Sequence, residues 1–104
     1  MDREDARIAS QLAALGHEAR LRVFRLLVRA GEDGLPMGEI ARMLGLPAST
    51  LQHHLGALAA AGLVRRERRG RATISRADYA TMRALFAHVE QDCCAGVAAP
   101  EQVA

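Results

Sequence analysis

The side chains able to do chemistry fall in two places. Between Ala48 and Arg71 lie Ser49, Thr50, Gln52, His53 and His54, followed by a run of arginines. Glutamine can bond the edge of adenine with two hydrogen bonds. Serine and threonine reach bases or phosphates, and imidazoles can donate to either. Arg66, Arg68, Arg69 and Arg71 offer planar guanidinium groups suited to phosphate oxygens. The second place is near the carboxyl end, where Cys93 and Cys94 stand side by side as the only cysteines. Soft thiolates suit soft acceptors, and a disulfide between chain neighbours is strained.

The elements that must position these groups follow from apolar spacing. At about 100° per residue on a helix, Leu51, Leu55 and Leu58 share one side of the segment beginning near Ala48. Ser49, Gln52, His53 and Gly56 lie opposite, with Thr50 and His54 on a flank. The leucines must be buried, so the polar group points away from the core. Ser49 and Gln52 also fit a capping box, and His54 is close enough to the leucines to be a packing residue. Leu63-Val64 opens a strand into the arginines, Arg69-Gly70 turns it, and Ala72 to Ser75 returns.

Upstream, Ile8, Leu12 and Leu15 predict a helix over about residues 4–15. Leu21, Phe24 and Val28 predict one from Glu18 to Arg29, with Arg22, Arg25 and Arg29 on another face. Gly-Glu-Asp-Gly-Leu-Pro reads as a loop, with Pro36 in the first turn of a short helix that carries Met37, Ile40, Ala41 and Leu44 and closes at Gly45. Leu46-Pro47 makes the turn into the next helix, which is the helix-turn-helix arrangement. Ser75 and Asp78 both suit the start of a last helix carrying Met82, Leu85, Phe86 and Val89. The expected fold is mainly α with a small β-hairpin, a winged helix-turn-helix in the order α-α-α-α-β-β-α. Residues 1–94 would form the DNA-binding and dimerisation domain, and 95–104 a flexible tail.

A chain of 104 residues is one domain by length. Its core must come from aliphatic residues, since Phe24, Tyr79 and Phe86 are the only aromatics, and so modest a core favours oligomerisation. The net charge of +2 decides nothing, but every one of the 14 basic residues is arginine and the wing gathers five of them. No apolar run would span a bilayer. An acidic, polar start does not read as a signal peptide, and free cysteines suit a reducing compartment, so a cytoplasmic protein is expected. An enzyme is not: no carboxylate is placed to orient a base beside Ser49, Thr50, His53 and His54, and no glycine-rich phosphate loop is present.

These segments together resemble the ArsR/SmtB family of repressors. The likeness runs from Leu15 to Leu27, from Gly38 to Val64 and through Arg65 to Arg71, and spans most of residues 12 to 94. Its mark is Ser49-Thr50 followed by His54-Leu55 and then Ala61-Gly62-Leu63-Val64 with a basic wing. The resemblance implies a homodimer through the first and last helices. It also implies repression at an inverted-repeat operator in double-stranded DNA until a soft metal or metalloid binds.

The family's sensing sites transfer only in part. Met37, Gly38 and Glu39 replace the cysteines of its arsenic-type site on the first helix of the helix-turn-helix. For its zinc-type site on the last helix, Asp78 is present, but Ala80 replaces a histidine and His88-Val89-Glu90 has the wrong spacing. His88 and Glu90 therefore read as a solvated face. The cysteine pair does match several arsenic-responsive members, although Gly96, Val97 and Ala98 stand where a third cysteine often follows. Cys93 and Cys94 are thus the expected metal ligands. No cofactor is required, and the inducer would be As(III), Sb(III) or methylarsenite. Two thiolates satisfy a methylated arsenical, whereas inorganic arsenite needs a third donor. Ordinary thiols are mostly protonated at neutral pH, so capture should weaken in acid.

Three other readings remain. Cys93 and Cys94 could serve a redox or reactive-sulfur sensor on the same fold. They could be inert in a constitutive DNA-binding module. The winged helix could also serve protein contacts, without salt-sensitive DNA binding.

Overall fold

The computed structural model describes residues 2–97. Five helices and three short strands follow one another as α1 (Arg3–Leu15), α2 (Glu18–Ala30), β1 (Leu35–Pro36), α3 (Met37–Leu44), α4 (Ala48–Ala60), β2 (Val64–Arg69), β3 (Ala72–Ala77) and α5 (Tyr79–Glu90). This is the winged helix-turn-helix order, with one strand more than expected. Leu35-Pro36 pairs antiparallel with β3, Leu35 opposite Ser75 and Pro36 opposite Ile74. The sheet order is β1-β3-β2, so Pro36 sits on an edge, where a missing N–H is harmless. Two residues are too few for a period-2 pattern, which is why the strand looked like loop.

Gly34 makes this third strand possible. Its φ is +65°, and a Cβ there would fall on the carbonyl oxygen of Ser75. Only glycine brings the loop backbone this close to β3. Pro36 is the N-cap of α3 and not part of its first turn.

The core is the aliphatic set that composition demanded. Val23, Phe24 and Leu27 of α2 meet Ile40 of α3, Leu51, Leu55 and Leu58 of α4, Leu63 just before β2, Val64 and Ala77 of the sheet and Leu85 of α5. Each fully buried leucine contributes about 1.5–3 kcal/mol of transfer free energy. Polar ties fix the helices around this core. Gln11 Nε2 donates to the carbonyl oxygen of Ala61 at 3.3 Å, joining α1 to the end of α4. The Tyr79 hydroxyl lies 3.2 Å from the carbonyl oxygens of both Leu27 and Val28. It thereby serves carbonyls in the last turn of α2 that have no helical partner.

β3 runs two residues further than its sequence suggested. Ser75 and Ala77 both face the core, so Ser75 belongs to the strand. Asp78 alone caps α5, its Oδ1 accepting from the Thr81 amide at 3.0 Å. No helix of the described residues is long and apolar enough to cross a membrane. Of the expected tail, Ala95–Val97 are exposed and outside any helix or strand, and residues 98–104 lie outside the described residues.

Candidate nucleic-acid interface and thiol pair

α4 is divided as its wheel requires. Leu51, Leu55 and Leu58 are fully buried, and Ser49, Thr50, Gln52 and His53 are all exposed. The helix begins after Pro47, with no side chain capping its first amides. Ser49 and Gln52 therefore do not form a capping box, and their polar atoms are not used up in closing the helix. The uncapped first turn also presents N–H groups and the positive end of the helix dipole to an anion. Gly56 completes this face. A Cβ added there would meet nothing within 4 Å, so nothing inside the protein requires the glycine.

His54 does not belong to the exposed set. Only 6 % of it is exposed, and its Nδ1 accepts a hydrogen bond from Arg20 Nε at 3.3 Å. Its ring lies 5.0 Å from that of His17. Burial, and then the charges of His17, Arg20 and His53, hold its pKa below the ordinary 6.5. The expectation of a direct DNA contact by His54 is thereby corrected. Its position beside the leucine stripe turns it inward, where Arg20 supplies the partner that a buried imidazole needs.

This contact brings in two residues that the sequence reading passed over. His17 caps α2, its Nδ1 accepting from the Ala19 amide at 3.2 Å. Arg20, half-buried, also places a guanidinium nitrogen 3.5 Å from His53 Nε2. It thus stands beside the exposed polar face of α4. The i, i+3 spacing of His17 and Arg20 at a helix start was the available signal. What lies 34 residues on was not visible in it.

The wing is a hairpin with Arg66 opposite Ser75, Arg68 opposite Thr73 and Arg69 opposite Ala72. The two-residue connection Gly70-Arg71 has φ +59° at Gly70, the positive-φ start of a tight hairpin turn. All five wing arginines are exposed, but they are not equivalent. Arg65 Nε is bound to Asp78 Oδ2 at 2.8 Å, and Arg69 Nε to Glu67 Oε1 at 2.9 Å. Arg68 donates to the Gly70 carbonyl oxygen at 3.2 Å. Arg66 and Arg71 have no such partner among the described residues and are the most available for phosphate.

The thiols stand apart from this surface, just past α5. The helix stops at Glu90, and Cys93 and Cys94 lie in the turns that follow it. Both cysteines are free and exposed. Asp92 and Cys94 adopt left-handed backbone at φ 61° and 64°, which costs a non-glycine residue about 1–2 kcal/mol. This turn brings the sulfurs to 3.1 Å. Their hydrogen bond, aided by slight burial, holds the Cys93 thiol above the ordinary range.

One turn back, His88 is not on a solvated face. It reaches α1, its Nδ1 lying 3.3 Å from Glu4 Oε1 and its Nε2 3.0 Å from Asp5 Oδ1. Among the described residues no three His, Cys, Asp or Glu side chains converge to hold a metal ion.

The helix-turn-helix domain family matches residues 15–67. In three dimensions the chain is similar to an ArsR-like transcriptional regulator from Rhodococcus sp. RHA1, with 30% identity, a TM-score of 0.75 and 85% of this chain and 80% of that one covered. It is similar to the transcriptional repressor BigR from Xylella fastidiosa, with 29% identity, a TM-score of 0.65 and 92% and 100% covered. It is also similar to the homodimeric winged helix-turn-helix DNA-binding domain Mb0332 from Mycobacterium bovis, a possible ArsR-family regulator. There the identity is 28%, the TM-score 0.67, and 88% of each chain is covered. No curated protein matches the sequence.

Proposed function

The chain belongs to the ArsR-like family of winged helix-turn-helix DNA-binding transcriptional regulators, and from that membership we propose that it is a homodimeric repressor released from operator DNA when a trivalent arsenical or antimonial binds Cys93 and Cys94. The observation that carries the DNA reading is the division of α4, with Ser49, Thr50, Gln52 and His53 outward over a sealed leucine face. Gln52 and His53 read base edges in the major groove. Ser49, Thr50 and the uncapped first turn hold phosphate. Arg66 and Arg71, with Arg68 and Arg69 beside them, neutralise the backbone flanking the groove.

A homodimer is supported by the homodimeric Mycobacterium bovis neighbour and by Leu12 on α1 and Val89 on α5, which are 42% and 56% exposed. Two reading helices about 34 Å apart would meet successive major grooves of an inverted repeat. Such a protein works in the cytoplasm, where DNA and reduced thiols coexist.

The donor set suits a metalloid better than zinc. The two exposed thiols are close enough to share one soft atom, and among the described residues no third or fourth His, Cys, Asp or Glu joins them to complete the four ligands of a structural zinc site. Each arsenic–hydroxide bond is exchanged for an arsenic–sulfur bond, the thiol proton leaving with the hydroxide as water. A methylated arsenical is then complete. Inorganic arsenite retains one hydroxide or takes a donor from elsewhere.

The test begins with duplexes selected from a random pool by the purified protein. Binding should be lost with Gln52→Ala and His53→Ala together, in variants whose melting temperature is unchanged. Undiminished affinity in that double variant would remove α4 as the reader.

A further inference from the structure

A hollow between α2 and α5 is used by neither the DNA surface nor the thiols. Its volume is about 310 Å³, and it is walled by Leu21, Phe24 and Val28 of α2 and Met82 and Phe86 of α5, with Leu15 at the end of α1. Arg25 and Arg29, one helical turn apart, also line it. No residue of α4 or of the wing does. An adjoining hollow of about 270 Å³ shares Leu21, Arg25 and Arg29 and adds Arg22, with Glu18 as its one acid. Neither Arg25 nor Arg29 has an ion-pair partner among the described residues. Phe86 is left 46% exposed.

The chemistry of this place is specific. An apolar slot of small-ligand size carries two unpaired planar guanidinium groups. That combination matches an apolar body with one carboxylate head, which guanidinium groups bind through paired hydrogen bonds. Phosphate alone would leave the apolar wall wet, and a neutral hydrocarbon would leave the arginines without a partner. The dimer seam proposed above rests on Leu12 and Val89, and neither of them lines the hollow.

We propose that the α2–α5 hollow binds a small amphipathic carboxylate, with its alkyl or aryl body between Phe24, Val28, Met82 and Phe86 and its carboxylate on Arg25 and Arg29. This site is separate from the DNA and thiol reading and stands whether or not that reading holds.

The experiment titrates decanoate and naphthoate into the purified full chain and follows methyl and amide resonances by NMR. Decanol and inorganic phosphate serve as body-only and head-only controls. The expected result is saturable shifts at Phe24, Val28, Met82 and Phe86 with the carboxylates. Decanol, phosphate and the surface variant Arg25→Gln/Arg29→Gln should each give binding at least about tenfold weaker. Val28→Trp, which fills the slot, should abolish binding. Its fold is checked by melting, and the arginine variant serves in its place if it does not fold. Cys93→Ser/Cys94→Ser should bind like the wild type. Absence of saturable shifts with both carboxylates would overturn the proposal. So would equal binding of decanol, equal binding by the arginine variant, or a slot already closed by self-association that carboxylate does not displace.

Discussion

Arg20 Nε donates to Nδ1 of His54 across 3.3 Å, and this one bond ties α2 to the buried flank of α4. It requires His54 to keep a lone pair on Nδ1, so the imidazole must be neutral. Burial and the neighbouring His17, Arg20 and His53 favour the same neutral form. A histidine held neutral in the fold takes up a proton more readily when unfolded. Its contribution is therefore complete above the ordinary pKa of 6.5 and is lost as pH falls below it. Urea melts between about pH 8 and pH 5 should show stability dropping below that point. His54→Gln, whose amide oxygen can still accept from Arg20, should flatten the drop. An equally steep loss in the variant would place the sensitivity elsewhere.

Gly56 gives a prediction of opposite signs. Alanine at this mid-helix position should stabilise the fold by about 0.5–1 kcal/mol, because the added methyl meets nothing. The same methyl projects from the face assigned to DNA, so affinity should fall. Melting and DNA anisotropy on Gly56→Ala measure both. A stabilised variant with unchanged affinity would place Gly56 away from the interface.

The arginines of the wing should separate by their present partners. Arg66→Ala and Arg71→Ala should each lower the salt slope of DNA binding by about one. Arg69→Ala should do less, because Glu67 already holds that guanidinium. Arg65→Ala should leave the slope nearly unchanged, since Asp78 holds its guanidinium. Slopes from titrations at several salt concentrations decide this, and an equal effect of all four would mean that the ion pairs do not persist on DNA.

The thiol pair should show itself in alkylation rates. The hydrogen bond to Cys94 holds the Cys93 thiol above the ordinary range, so its reaction with iodoacetamide should rise late with pH. In Cys94→Ala the rise should move to lower pH. An unmoved profile would show that the 3.1 Å contact is absent in solution.

The sequence made the fold legible where apolar spacing is long. The leucines of α4 fixed its inner face, and the outward positions of Ser49, Thr50, Gln52 and His53 followed. His54 could not be assigned in the same way. It lies on the boundary of the stripe, and only Arg20, distant in the chain, decides which way it turns. β1 was hidden because its pairing depends on Gly34 passing close to Ser75, a contact without a local pattern. The end of α5 at Glu90 has no marker in the sequence. The left-handed residues at Asp92 and Cys94 end the helix without a glycine to announce it. His88 looked solvent-facing for a related reason, since its partners Glu4 and Asp5 lie at the other end of the chain.

The most direct measurement is the anisotropy of a selected DNA duplex, saturated with protein, as arsenite or methylarsenite is added. Peroxide is added in a parallel titration. Wild type should leave the DNA with an arsenical and not with peroxide, and Cys93→Ser/Cys94→Ser should stay bound throughout. Release of the double serine variant by arsenicals, or a wild type that peroxide alone dislodges, would contradict release through arsenical capture by the thiol pair.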